Sequence, residues 1–85
     1  MPRSVFTDAY SAVTSMVVEL RQAHGLTQAQ LAARLGKPQQ FISKVERGDR
    51  RIDVVELYAI IRAIGADPAT AFKALLRRLP TDVTI

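Results

Sequence analysis

Helix punctuation recurs along this chain more regularly than any other signal, and it limits what the chain can fold into. Each of the four glycines, Gly25, Gly36, Gly48 and Gly65, follows a stretch with helical apolar spacing. A residue that tolerates the left-handed conformation commonly closes a helix at such a point. Start signals alternate with these stops. Thr27 with Gln30, and Asp53 with Glu56, have the form of capping boxes, in which the first side chain takes a free backbone N–H and the second reaches back. Asp67-Pro68 sets an N-cap candidate before a proline at the first helical position, and Pro80 ends the last segment. The pattern predicts five helices, over about 7–24, 28–35, 39–47, 54–64 and 68–79. Strand-like alternation of useful length is missing, and the tail Val83-Thr84-Ile85 is too short to read. With short connections, the helices should pack as near neighbours in one all-α domain over residues 1–85.

Several function classes are disfavoured at once. The longest unbroken apolar run, Leu57 to Ile61, is five residues, whereas a bilayer span needs ~20. The N-terminal Met-Pro-Arg-Ser-Val-Phe-Thr-Asp lacks the apolar core of a secretory signal, which favours a cytoplasmic protein. Zero cysteines removes disulfides, thiolate nucleophiles and cysteine-ligated zinc. His24 is the single histidine, placed near a helix C-terminus where a cation is favourable. Neither a metal, a cofactor nor a catalytic residue is therefore expected, and 85 residues leave little room for a catalytic cleft.

Charge supplies the positive hint. The net charge is +4, and residues 34–51 hold all of it, with six cations (Arg34, Lys37, Lys44, Arg47, Arg50 and Arg51) against Glu46 and Asp49. The remainder of the chain balances six cations with six carboxylates. A local basic excess suits a polyanion, because each neutralised phosphate releases condensed counterions. A solvated basic surface has the same composition, so charge alone leaves both readings open.

The third predicted helix separates them. On a wheel of about 100° per residue, Phe41, Ile42 and Val45 fall together, with Glu46 beside Ile42. The other side carries Gln39, Gln40, Ser43, Lys44 and Arg47 without a carboxylate among them. Gln pairs with adenine N6 and N7, Lys and Arg reach guanine O6/N7 or phosphate, and Ser serves several partners. Gln28 opens the preceding helix, where free N–H groups and the dipole favour an anion, although a solvated amide would look the same. The short turn Gly36-Lys37-Pro38 between the two helices completes a helix-turn-helix signature over 27–47.

The stretch from Leu26 to Gly48, LTQAQLAARLGKPQQFISKVERG, closely resembles the phage-repressor-like, or XRE-type, helix-turn-helix domain of bacterial and phage transcriptional regulators. Ala32 stands where the two helices touch, Gly36 in the turn, and Ile42 and Val45 on the buried face. The resemblance implies a five-helix lambda-repressor-like fold that binds double-stranded DNA. It implies a phosphate contact at Gln28, base-reading or groove-lining roles for Gln39, Gln40, Ser43 and Lys44, and backbone contacts from Lys37, Arg47, Arg50 and Arg51. It also implies an ion pair between Arg21 and Glu46, which removes those two charges from the DNA surface. Pro38 departs from the family pattern, since its side chain cannot cap, and this leaves the start of the third helix open.

An apolar stripe is core by default, but a fifth helix in this family commonly builds a dimer interface. Phe72, Leu75 and Leu76 are the residues expected there. Arg34 is expected on the outer side of the second helix, contributing only long-range field, and Tyr58 in the core or at its edge. The reading that results is a sequence-specific regulator occupying a near-palindromic operator as a homodimer. The competing reading is a protein-interaction module, such as an antitoxin or anti-activator, built on the same fold. A regulatory protein partner fits either.

Overall fold

Residues 8–83 are described by the computed structural model, and among them every regular element is a helix. These are α1 Asp8–Ala23, α2 Gln28–Arg34, α3 Gln39–Arg47, α4 Val54–Ile64 and α5 Pro68–Arg78. The limits of α3 and α4 are those the punctuation predicts. Leu35 and Leu79, expected as last residues of their helices, are C-caps instead. The expected start of α1 at Thr7 lies outside the described residues.

The predicted start signals operate through the hydrogen bonds expected of them. Thr27 Oγ1 accepts from Gln30 N at 3.0 Å while Gln30 Oε1 accepts from Thr27 N at 2.9 Å. Asp53 and Glu56 repeat this exchange ahead of α4 at 2.7 and 2.9 Å. Asp67 takes both the backbone N–H and the hydroxyl of Thr70, with Pro68 in the first turn of α5. Each cap satisfies amides that a helix start leaves without a partner. Gly48 closes α3 at φ 82°, a backbone region costly for any residue with a Cβ. The chain can thus turn out of α3 immediately after Arg47.

One hydrophobic core joins all five helices, and α4 is its centre. Leu57, Ile60, Ile61 and Ile64 are all buried, and α4 touches α1, α2 and α5. Met16 and Val17 from α1, Leu31 and Ala32 from α2, and Ile42 and Val45 from α3 close around it. Full burial of one such aliphatic side chain contributes about 1.5–3 kcal/mol. Tyr58 is not part of this core: it is half exposed on the outer side of α4, beside the exposed Val54 and Val55. Tyr10 is the buried tyrosine, and its Oη accepts from Ile52 N at 3.1 Å. Across the surface, Arg78 pairs with Glu19 and ties α5 to α1.

The hydrogen bonds from Thr70, backbone first and hydroxyl second, hold the Asp67 carboxyl below the usual aspartate range. A lowered native pKa stabilises the fold above the unfolded value of about 4 and loses that contribution as pH falls through the native value. Asp67→Ala should therefore be less stable than the parent at pH 7. In urea titrations from pH 7 to pH 2, the difference should narrow only below about pH 4, as the parent loses its ionised cap.

Candidate nucleic-acid interface

α2 and α3 form the most extensive helix–helix contact of the fold, through a tight corner. Gly36 takes a positive φ of 67°, and Lys37 N returns to Ala32 O at 2.9 Å, closing α2. Pro38 serves as the N-cap of α3 at φ −71° and ψ 158°, with no side-chain cap bond. The start of α3 is fixed by its backbone: the Pro38 carbonyl accepts the Phe41 N–H at 3.0 Å. The proline ring pre-sets the φ needed here. Buried Ala32 lets α2 approach α3, while Ile42 and Val45 turn fully inward.

The orientation of α3 about its own axis is set by an ion pair with α1. Arg21 Nε donates to Glu46 Oε2 at 2.6 Å, and Arg21 Nη2 to Glu46 Oε1 at 3.0 Å. The two side chains are only 11% and 6% exposed, so the pair is held away from water. Arg21 Nη1 also donates to the Leu26 carbonyl at 2.8 Å, and Gln28 Nε2 to Glu46 Oε1 at 2.9 Å. Among the described residues no buried side-chain nitrogen or oxygen lacks a partner. This saturation makes a buried charge pair tolerable.

The outward face of α3 divides into two flanks. On the side of α2, side chains are already linked: Gln39 Nε2 donates to Gln28 Oε1 at 3.3 Å, and Arg47 Nη1 donates to Ser43 Oγ at 2.5 Å. Gln28, expected to face phosphate, is thus engaged by both Glu46 and Gln39. The amide of Gln39 keeps its oxygen and one N–H for an incoming group. Gln40 and Lys44 occupy the other flank, exposed and, among the described residues, with no hydrogen bond or ion pair from their side chains.

The basic excess that composition places on this corner is smaller once partners are assigned. Arg47 Nε pairs with Asp49 at 3.0 Å. Arg50 lies against both carboxylate oxygens of Glu56, at 3.3 and 2.9 Å, and donates to the Arg51 carbonyl at 3.0 Å. The bond from Arg50, reinforced by the Asp53 N–H, holds the Glu56 carboxyl below its usual range, and in return Glu56 raises the pKa of Arg50. The guanidinium of Arg51 stacks 4.4 Å from the Tyr10 ring centroid. Arg34 is a brace rather than a distant charge: its Nη1 donates to the Ala63 carbonyl of α4 at 2.9 Å. Of the six cationic side chains, those of Lys37 and Lys44 alone have neither hydrogen bond nor ion pair among the described residues. Sequence reasoning missed Glu56, Tyr10 and Phe41, whose ring centroid lies 5.4 Å from Lys37 Nζ and 4.9 Å from Arg50 Cζ, as supports of this surface. The capping box did mark Glu56 as pointing back toward the loop, the one signal that could have suggested its second partner.

The residues expected at a dimer interface separate as well. Leu75 is 6% exposed and belongs to the chain's own core, whereas Leu76 is 66% exposed and Phe72 half-buried. No group of three or more His, Asp or Glu side chains among the described residues could hold a metal ion. No helix among them is long and apolar enough to cross a membrane.

Comparison with known proteins gives concordant results. The Helix-turn-helix family profile matches residues 17–70. An uncharacterised HTH-type transcriptional regulator, y4dJ, of Sinorhizobium fredii (strain NBRC 101917 / NGR234) is 41% identical over 58 residues, 68% of this chain and 75% of that protein. Among solved structures, an XRE-family like protein from Pseudomonas syringae pv. tomato str. DC3000 is 44% identical, with a TM-score of 0.77 over 85% of this chain and 88% of that one. The restriction-modification controller protein C.Esp1396I, solved as a mutant bound to its highest affinity operator site, is 25% identical, with a TM-score of 0.77 over 86% of this chain and 96% of that one.

Glu46→Gln keeps the shape of the ion pair but leaves the Arg21 cation buried without a counter-charge. Urea unfolding should show a loss of about 3 kcal/mol. Asp49→Asn, at the exposed Arg47 pair, should change stability by less than about 1 kcal/mol.

Proposed function

Because the chain belongs to the helix-turn-helix family of XRE-type transcriptional regulators, we propose that it binds double-stranded DNA sequence-specifically and regulates transcription by occupying an operator as a homodimer. The observation that carries this reading is the outward face of α3, where Gln39, Gln40, Ser43, Lys44 and Arg47 project without a carboxylate from a corner braced on α1. The operator complex of the C.Esp1396I mutant supports it, since that protein shares the fold and 25% of its sequence.

In this reading the first turn of α3 enters the major groove. Gln39, held by Gln28, and Gln40 meet base edges there, as bidentate partners suited to adenine. Gln28, at the start of α2, has its amide between Glu46 and Gln39 while its backbone N–H faces the end of the helix, where a phosphate is favoured. Ser43 and Arg47 line the groove, and Lys37, Arg50 and Arg51 lie along the backbone. Two copies related by a two-fold axis would place their recognition helices about 34–36 Å apart, on a near-palindromic site.

Leu76 and Phe72 on α5 carry the dimer contact. Val54 and Tyr58 of α4 extend it, because exposed apolar residues on two adjoining helices need a partner surface. Leu75, the third residue expected there, is buried in the chain's own core.

Selection of bound duplexes from a random pool should yield an inverted repeat. On that duplex Gln40→Ala should cost about 1–3 kcal/mol and relax preference at one base pair per half-site. Recovery of no preferred sequence would overturn the reading. Leu76→Asp should shift the sedimentation equilibrium toward monomer and weaken operator binding at least tenfold while leaving the melting curve close to that of the parent. A dimer unaffected by Leu76→Asp would remove α5 from the interface.

A further inference from the structure

Where the end of α2, the start of α3 and the first half of α4 meet, they leave a cleft of about 250 Å³. Its lining is largely apolar: Leu35 and Phe41 are half-buried, Ala59 is exposed, and Ile60, at 1% exposure, belongs to the core. Lys37 and Glu56 complete the lining, and the two charges are not equivalent. Glu56 is already satisfied. Its Oε1 accepts from Arg50 and from the Asp53 N–H, and its Oε2 from Arg50. Arg50 and the Asp53 N–H hold that carboxyl below its usual range, and the Lys37 charge is the weakest contributor. The Lys37 side chain has no hydrogen bond or ion pair among the described residues, and its Nζ lies 5.4 Å from the Phe41 ring centroid. An ammonium offers three donors and no acceptor, so the group that complements this cleft is an anion.

We infer that the cleft binds a small monocarboxylate with an apolar body, the carboxylate on Lys37 and the body against Leu35, Phe41, Ala59 and Ile60. Size limits the ligand: an apolar cavity of about 150 Å³ holds benzene, so the space here suits about ten non-hydrogen atoms. A bare inorganic anion would leave the apolar lining uncovered, and a cation would meet a carboxylate whose acceptors are largely taken. Glu56 also sets the orientation, since it repels a carboxylate placed away from Lys37. The ligand acts on DNA binding as well, and this part rests on the proposed function. Lys37 stands in the turn that leads into α3. A carboxylate held there takes one cation from the DNA backbone and sets a negative charge near the phosphates. Ligand and operator therefore oppose each other, and by linkage each weakens the other by the same factor.

The test follows amide shifts of residues 35–41 and 56–60 of the whole chain as phenylacetate, which has the required size, is added. The shifts should saturate, with a dissociation constant on the order of 1 mM or below. Phenylacetamide, of the same shape without the charge, and acetate, without the apolar body, should each bind about tenfold more weakly or worse. Lys37→Gln should remove the preference for the acid over the amide. Ala59→Leu, which fills the cleft from an exposed position, should abolish binding and keep the parent's melting curve. On a selected duplex, saturating phenylacetate should weaken the parent about fivefold and leave Ala59→Leu unaffected. The absence of saturable shifts, or equal binding of acid and amide by the parent, would overturn the ligand site. Shifts of the same residues that follow protein concentration without ligand would assign the cleft to a second copy. Tighter binding of an acetylated, amidated phenylalanyl-glutamate dipeptide would assign it to a protein partner, and either result overturns the proposal. Saturable binding with no effect on the duplex would overturn the coupling to DNA. A parent that binds no duplex would remove the proposed function, while the phenylacetate titration still decides the site.

Discussion

The bidentate contact between Arg21 and Glu46 is the interaction on which the presentation of α3 depends. α3 is short, and only Ile42 and Val45 anchor it fully in the core. Two aliphatic side chains fix its position but restrain its rotation weakly. Glu46, one turn beyond Ile42 on the same side, supplies the missing constraint by accepting from α1 and α2 together. Desolvating both charges offsets much of the Coulombic gain, so the pair is better understood as setting geometry than as adding stability. Its effect extends outward: Glu46 orients Gln28, and Gln28 orients Gln39, so a chain of bonds runs from a nearly dry ion pair to the polar face.

That chain explains why the two flanks of α3 differ. On the Gln28 side, hydrogen bonds among Gln39, Gln28, Ser43 and Arg47 limit the rotamers available, and rigid donors lose less entropy when they meet a partner. On the Lys44 side the cations are gathered by an aromatic ring and a braced arginine, with few acceptors to satisfy them. The loop between α3 and α4 serves the same end. Asp49, Glu56 and Tyr10 each restrain it, from within the loop, from α4 and from α1 respectively. In the proposed function, the Gln28 flank and Gln40 supply discrimination, and the cations beside Gln40 supply attraction.

Most of the helical framework was legible in the sequence because its signals are local. Capping residues act over three positions and glycine closures over one, so α3 and α4 could be delimited to the residue. What was not legible depends on partners distant in the chain. Arg34 counts as a free cation until α4 brings the Ala63 carbonyl to it across 29 residues, and a carbonyl leaves no trace in composition. Arg50 and Glu56 lie six apart, outside helical spacing, and meet only because the loop folds back. α4 is apolar on nearly every side, so periodicity could not tell Tyr58, which faces out, from Ile60 and Ile61, which face in. The same ambiguity put Leu75 beside Leu76 as an interface residue, when only the second is uncovered. The Arg21–Glu46 pair was anticipated from family resemblance, since spacing alone does not join α1 to the end of α3.

In the proposed function, the outward face of α3, held by Arg21–Glu46, is the surface that meets DNA. Amide and side-chain chemical shifts of the labelled protein, followed as a selected duplex is added, test it most directly. The largest changes should fall at Gln28, Gln39, Gln40, Ser43 and Lys44, with the Arg21 Nε–H signal keeping its bonded shift throughout. Changes confined to α4 and α5, with the α3 side chains unmoved, would contradict it.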